Sequence, residues 1–212
     1  MNEIYAWEKD ETHGNFDYNN MESWKGKQLK FIFSFIDEFF SFSKNDTFKV
    51  LDVGCNAALN LKKFSVVYPN SKNEYTGFDL NDTALQLAKN NIPTGIFKKC
   101  NFHFENPLSD YPDNYFDLSF ATWVFTHVPL QGAGRENVIK DTIRVSKRGI
   151  ILDPSIKKEC INEILPFQLQ LKNKNDETNV VVIDDYKRYY PIVKEHSVNF
   201  DGNTTLFYWE KK

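Results

Sequence analysis

Between residues 49 and 153 short apolar runs of strand character alternate, without a break, with stretches of helical periodicity, and this alternation constrains the fold more than any other feature. KVLDVG reads as a buried strand and NLKKFSVVY as a helix. EYTGFDL is a second strand, and DTALQLAKNN a second helix opened by Asp82 or Thr83 as its N-cap. FKKCNFHFE alternates like a third strand and YFDLSFATWVF reads as a fourth. ENVIKDTIRVSK is a helix reached through a Gly-containing loop, and GIILD is a fifth strand. Such an order predicts a parallel sheet with helices on both faces. In the tail, DDYKRYYPIV looks helical, while HSVNF and TTLFYWEKK, joined by Asp201-Gly202-Asn203, read as a terminal antiparallel hairpin.

Residues 1–22 are polar and dotted with Tyr5, Trp7, Phe16 and Tyr18, which suits either a tail or a flap whose aromatics close over a ligand. Over 23–42, Leu29, Ile32, Phe33, Ile36, Phe39 and Phe40 follow the stripe of an amphipathic helix. Phe31, Phe35 and Phe42 lie off it and predict a second buried face. The chain of 212 residues suffices for one domain, divided as an N-terminal flap or tail (1–22), a helix (23–42), a core (49–153) and a C-terminal helix and hairpin (154–212).

Lys and Arg total 26 against 29 Asp and Glu, a net charge of -3, which offers no global attraction to a phosphate backbone and argues against nucleic acid as a partner. Three separated cysteines, Cys55, Cys100 and Cys160, make neither a disulfide framework nor a metal-site pair. The apolar run around FIFSFIDEFF is interrupted by Asp37 and Glu38 and is too short to span a bilayer, and the polar start lacks a signal peptide's apolar core. The expectation is a cytoplasmic protein with no membrane partner and no bound metal.

In an open parallel sheet, ligands sit at the carboxyl ends of the strands, so the turn after the first strand is the first place to look. There KVLDVGCNAALNL puts Asp52, Gly54 and the small residues Asn56, Ala57 and Ala58 between strand and helix. Small side chains let backbone approach a ligand, and N–H groups at a helix start favour a polar or anionic one. Asp79 ends the second strand, where an acid can accept both ribose hydroxyls of a nucleoside. The competing possibility is an Asp that caps the following helix.

The runs VLDVGC, FDLND, FENPLSDYPDNYFDLSFATWVFTHVP and IRVSKRGIILDP, in this order and spacing, resemble the class I S-adenosylmethionine-dependent methyltransferases, and more narrowly the type that methylates small molecules. The resemblance implies a Rossmann-like, doubly wound, mostly parallel seven-stranded α/β sheet with a C-terminal antiparallel hairpin. It implies S-adenosylmethionine as cofactor and S-adenosylhomocysteine as product. Position by position, it implies that Asp52 and Gly54 open the glycine-rich turn, with Gly54, Cys55 and Asn56 beside the methionine part. Asp79 becomes the ribose-binding acid and Leu80 the neighbour that packs on adenine. Glu105 accepts from the adenine amino group, the Asn106 backbone N–H meets the ring, and Thr122 and His127 face the acceptor. The family's three glycines fall at Gly54, Asn56 and Ala58, so two are replaced, and the loop geometry is put in question.

An oxygen or ammonium acceptor must lose a proton during transfer, and His127 is the candidate base; it could equally cap or pack under its loop, and a carboxylate acceptor would need no base. Trp24, Trp123, the VPLQGAGRE loop and residues after Asp153 are expected to shape the acceptor pocket. The resulting expectation is methylation of a small molecule, oxygen slightly ahead of nitrogen. Two other readings stand beside it: a non-catalytic cofactor-binding or partner subunit, and a protein or RNA methyltransferase using a basic face around Lys98, Lys99, Arg144, Lys147 and Arg148.

Overall fold

The computed structural model describes residues 24–102, 104–125, 133–156, 181–182, 194–196 and 204–211, in two compact units that divide after Lys99. The N-terminal flap or tail, His103, His127, most of the VPLQGAGRE loop, the DDYKRYYPIV helix and the turn at 201–203 lie outside the described residues.

The first unit holds α1 (Trp24–Phe39), β1 (Lys49–Val53), α2 (Leu59–Val67), β2 (Glu74–Asp79), α3 (Asp82–Asn91) and β3 (Ile96–Lys99). Central β2 pairs in parallel with β1 on one side, Asp52 opposite Gly77, and with β3 on the other, Asp79 opposite Lys99. Buried on both faces, β1 has the apolar character expected of a parallel strand, with Val50, Leu51 and Val53 inaccessible and Asp52 the buried exception. The stripe of α1 is buried at Leu29, Ile32, Phe33 and Ile36, and Phe35 supplies the second buried face. Phe39 departs from the expectation: it lies at the exposed end of the helix, stacked at 4.4 Å on Phe35. Phe40, Phe42, Phe48, Phe64 and Tyr68 then form a continuous, mostly edge-to-face cluster, so much of the aromatic excess is core.

Two local expectations are corrected here. The N-cap of α3 is Asn81, whose side chain accepts from the Ala84 N–H, and neither Asp82 nor Thr83 plays that part. Asp82 instead sits in the first turn, where a negative charge suits the helix N-terminus, and pairs with Lys99 at 2.7 Å. The third strand stops at Lys99, because the Asn101 carbonyl accepts the N–H groups of Phe104 and Glu105 and curls the chain into a turn.

The second unit contains β4 (Leu118–Thr122), α4 (Ala133–Arg144), β5 (Arg148–Ile156), β6 (Val181–Val182), β7 (Lys194–His196) and β8 (Thr204–Glu210). β5 pairs in parallel with β4 and antiparallel with β8, which in turn pairs antiparallel with β7; the short β6, unforeseen in the sequence, runs parallel to the end of β5. β4 is shorter than YFDLSFATWVF suggests because Trp123 turns out of the strand at φ 59°, its N–H still donating to the Leu152 carbonyl. Gly149 on β5 faces Trp209 on β8 so closely that a Cβ would lie 2.0 Å from the indole, which makes glycine a packing requirement.

Candidate cofactor site

The turn from β1 to α2 departs from glycine in composition but not in path. Gly54, Asn56 and Ala58 have φ of 66°, 47° and 57°, so all three positions of the expected glycine pattern are left-handed. For Ala58 that conformation costs roughly 1–2 kcal/mol; Asn tolerates it better. The loop is held from within the first unit. The Asp79 carboxylate accepts the Asn56 N–H at 2.7 Å through one oxygen and the Asn81 N–H at 2.9 Å through the other. The Cys55 N–H donates to the Phe78 carbonyl, the Ala57 N–H to the Asn56 side chain, and the Asn91 amide to the Ala57 carbonyl.

One consequence corrects the sequence reading. The N–H groups of residues 55 to 58 are all engaged inside the fold, so the turn is not an anion cradle of vacant donors. It offers the half-buried surface at Gly54 and the Asp79 carboxylate. Each carboxylate oxygen of Asp79 serves one of the two backbone bonds, from Asn56 and Asn81. Asp79 is half-buried at the carboxyl end of β2, with half-buried Leu80 next to it. An acid suits hydroxyl donors better than phosphate oxygens.

Below the turn, Asp52 is wholly buried and both its oxygens accept from the Asn60 amide at 3.2 Å. Burial pushes its carboxyl up to about 8, opposed by the Asn60 bond and the Lys25 charge, with the Asp79 charge adding to the rise. Burial pulls half-buried Lys25 of α1 down to about 8, against the Asp52 charge. Asp52 therefore anchors α2 rather than facing solvent. The Cys55 thiol is buried too, packed where a Cβ on Gly77 would reach and held above its usual range by burial and then by Asp79 and Asp52. Only its backbone is positioned to meet a ligand.

In the second unit, Glu105 is exposed in the turn after Cys100. Burial, the Glu105 charge and a hydrogen bond to Glu105 together push the Cys100 thiol up to about 12. The Asn106 amide donates to Asp141 at 2.6 Å, and Thr122 is buried at the end of β4, in register with Leu152. Lys25, Asn60, Asn81, Asn91 and Asp141 were missed by sequence reasoning; Asn81, directly before a helical stretch, is the one whose position alone could have signalled its role.

The family model described as a methyltransferase domain matches residues 51–152, which include the turn, Asp79, Glu105, Asn106 and Thr122. Over these residues, 102 of the 212, the chain is similar to the S-adenosylmethionine-dependent methyltransferases. No curated protein matches the sequence. Among solved structures, an O-methyltransferase family protein from Burkholderia thailandensis superposes with a TM-score of 0.64 at 13% identity, over 87% of this chain and 57% of that one. The PH0226 protein from Pyrococcus horikoshii OT3 gives 0.61 at 14% identity over 95% of each chain. Geranyl diphosphate C-methyltransferase from Streptomyces coelicolor A3(2), in complex with Mg2+, geranyl diphosphate and S-adenosyl-L-homocysteine, gives 0.59 at 11% identity, over 89% and 79%. The chain thus has the Rossmann-like α/β fold with a mixed sheet, and it spans a little over half the length of the Burkholderia protein.

Proposed function

We propose that the chain transfers a methyl group from S-adenosylmethionine to a small-molecule acceptor, with an oxygen acceptor favoured. The observation that carries this reading is the left-handed path at residues 54, 56 and 58 tied to the Asp79 carboxylate, since it keeps the backbone geometry of a nucleoside-binding turn where two of the three glycines are replaced. Bound S-adenosylmethionine supplies an electrophilic methyl group on a sulfonium, leaving S-adenosylhomocysteine. The protein's contribution is orientation: holding acceptor and methyl in attack geometry can supply several kcal/mol, about 7–11 at best.

In this reading Asp79 accepts from the ribose hydroxyls and Leu80 packs on adenine. Gly54, Cys55 and Asn56 pass the methionine part with their backbone, and Asp52 supports them from beneath. Glu105 accepts from the adenine amino group, the Asn106 N–H meets the ring and Thr122 borders the acceptor. His127, outside the described residues, takes the acceptor's proton; an acceptor that is already a carboxylate needs no such base. Seven strands, the C-terminal hairpin, one functional domain over 1–212 and a cytoplasmic setting belong to the same proposal.

A small acceptor is preferred over RNA because the expected basic face is locally neutralised. Lys99 pairs with Asp82, Lys147 with Asp117, Arg148 with Glu210, and Arg144 with Asp113 and Asp141. Calorimetry with S-adenosylhomocysteine tests the site: Asp79→Ala should weaken binding by about 1.5–3 kcal/mol through loss of charge-assisted hydrogen bonds. Unchanged affinity would remove Asp79 from the site. Turnover with a panel of hydroxyl and carboxylate acceptors then separates an enzyme from a binding subunit.

A further inference from the structure

Residues 105 to 117 form no regular element, yet they carry the two groups assigned to adenine, and a loop without a ladder must satisfy its carbonyls elsewhere. Here one side chain does much of that. Arg144, in the last turn of α4, donates through Nη2 to the Leu108 carbonyl at 3.0 Å and through Nη1 to the Tyr111 carbonyl at 2.8 Å and Asp113 at 2.9 Å. Its Nε donates to one oxygen of Asp141 at 2.6 Å. The other oxygen of Asp141 accepts the Asn106 amide at 2.6 Å. The Arg144 carbonyl closes the far end by accepting the Asn114 N–H at 3.0 Å, and the Lys211 ammonium donates to the same carbonyl. The loop is thus fastened at 106, 108, 111, 113 and 114 to one helix end.

The chemistry selects arginine. A guanidinium has five donors in a planar fork, stays charged at any working pH and can meet two carbonyls and two carboxylates at once; an ammonium has three donors and no plane. The neighbouring acids Asp141 and Asp113 raise the Arg144 pKa further. Asp141 is the hinge of the arrangement, since each of its oxygens serves one side, Asn106 or Arg144.

We propose that Asp141 and Arg144 are positioning residues for adenine recognition: they touch no ligand, but set where the Glu105–Asn106 edge stands. The inference rests on the reading that Glu105 and Asn106 face adenine, and the test separates the two. Calorimetry on the full chain compares S-adenosylhomocysteine with S-inosylhomocysteine, which lacks the amino donor Glu105 would accept. The wild type should prefer the adenosyl compound by about tenfold or more, the scale of one charge-assisted hydrogen bond. Asp141→Asn and Arg144→Lys should each weaken the adenosyl compound by about tenfold while leaving the inosyl compound nearly unchanged, collapsing the preference. Arg148→Ala, which breaks the ion pair with Glu210 in the same unit, should keep it.

A merely structural role would lower melting temperature and both affinities together. Should Arg144→Lys not fold, Asn106→Ala cuts the tether to Asp141, together with the Leu108 N–H bond that the Asn106 side chain accepts at 3.3 Å, and must still reduce the preference. A folded Asp141→Asn or Asn106→Ala with wild-type preference overturns the positioning role while leaving the adenine reading intact. Equal binding of the two compounds by the wild type overturns both.

Discussion

At the scale of single residues, Ala58 shows how a site keeps its geometry after its letters change. It stands at the N-terminus of α2 in left-handed backbone, with no side-chain cap to compensate. Ala58→Gly should therefore stabilise the protein by about 1 kcal/mol, the relieved strain exceeding the added freedom of the unfolded chain; an unshifted urea midpoint would mean the loop relaxes around alanine. Asp52 makes the pH prediction. Its folded carboxyl titrates near 8, above the ordinary value of 3.8, so the folded state holds a proton that the unfolded chain has given up. Its contribution is present at acid pH and is lost as pH rises toward 8. Between pH 5 and 7 Lys25 is mostly protonated in both states and adds little slope. Asp52→Asn should flatten the decline of stability in that window by at most about 1.4 kcal/mol per pH unit, the limit for one proton, as read by denaturant melts at several pH values.

At the scale of elements, periodicity located the helices and strands, and local chemistry moved their ends. α1 ends at Phe39 rather than 42, β3 ends three residues into its expected run, and β4 ends where Trp123 turns left-handed. Alternation in FKKCNFHFE was real but carried no information about the Asn101 carbonyl that captures two N–H groups and ends the strand. The pairing of β5 with β8 was legible in pattern but not in mechanism, since nothing in GIILD announces that its glycine faces an indole. Gly149→Ala should cost about 1–3 kcal/mol by overpacking, and the cost should shrink in a Trp209→Leu background because the clashing ring is gone. Additive losses in that double-mutant cycle would place the strain elsewhere.

At the scale of the whole molecule, the order of elements over 49–153 specified the fold class, and the acid at the end of β2 marked half of the candidate site. The other half of the chemistry was less legible, because it depends on amides and on an arginine whose partners lie 31 to 36 residues away in sequence. Pattern reading finds short-range periodicity, whereas a fork such as Arg144 is defined only after folding. The proposed function also says how the protein responds to ligand. S-adenosylhomocysteine at about a hundred times its Kd should add about 2.7 kcal/mol of stability and raise the melting temperature by several degrees. NAD at the same concentration should leave it unmoved, and a shift of the same size with NAD would point to a generic nucleotide pocket.

The bonds that secure the turn after β1 are made by partners between residues 55 and 91. Synthesis runs from the N-terminus, at about 5–20 residues per second, and domains tend to fold as units in that order. Asp79 and Asn91 are therefore polymerised before β4 or Arg144. None of these bonds waits on chain made later, so the turn after β1 has the means to take its left-handed path while the rest of the protein is still being translated.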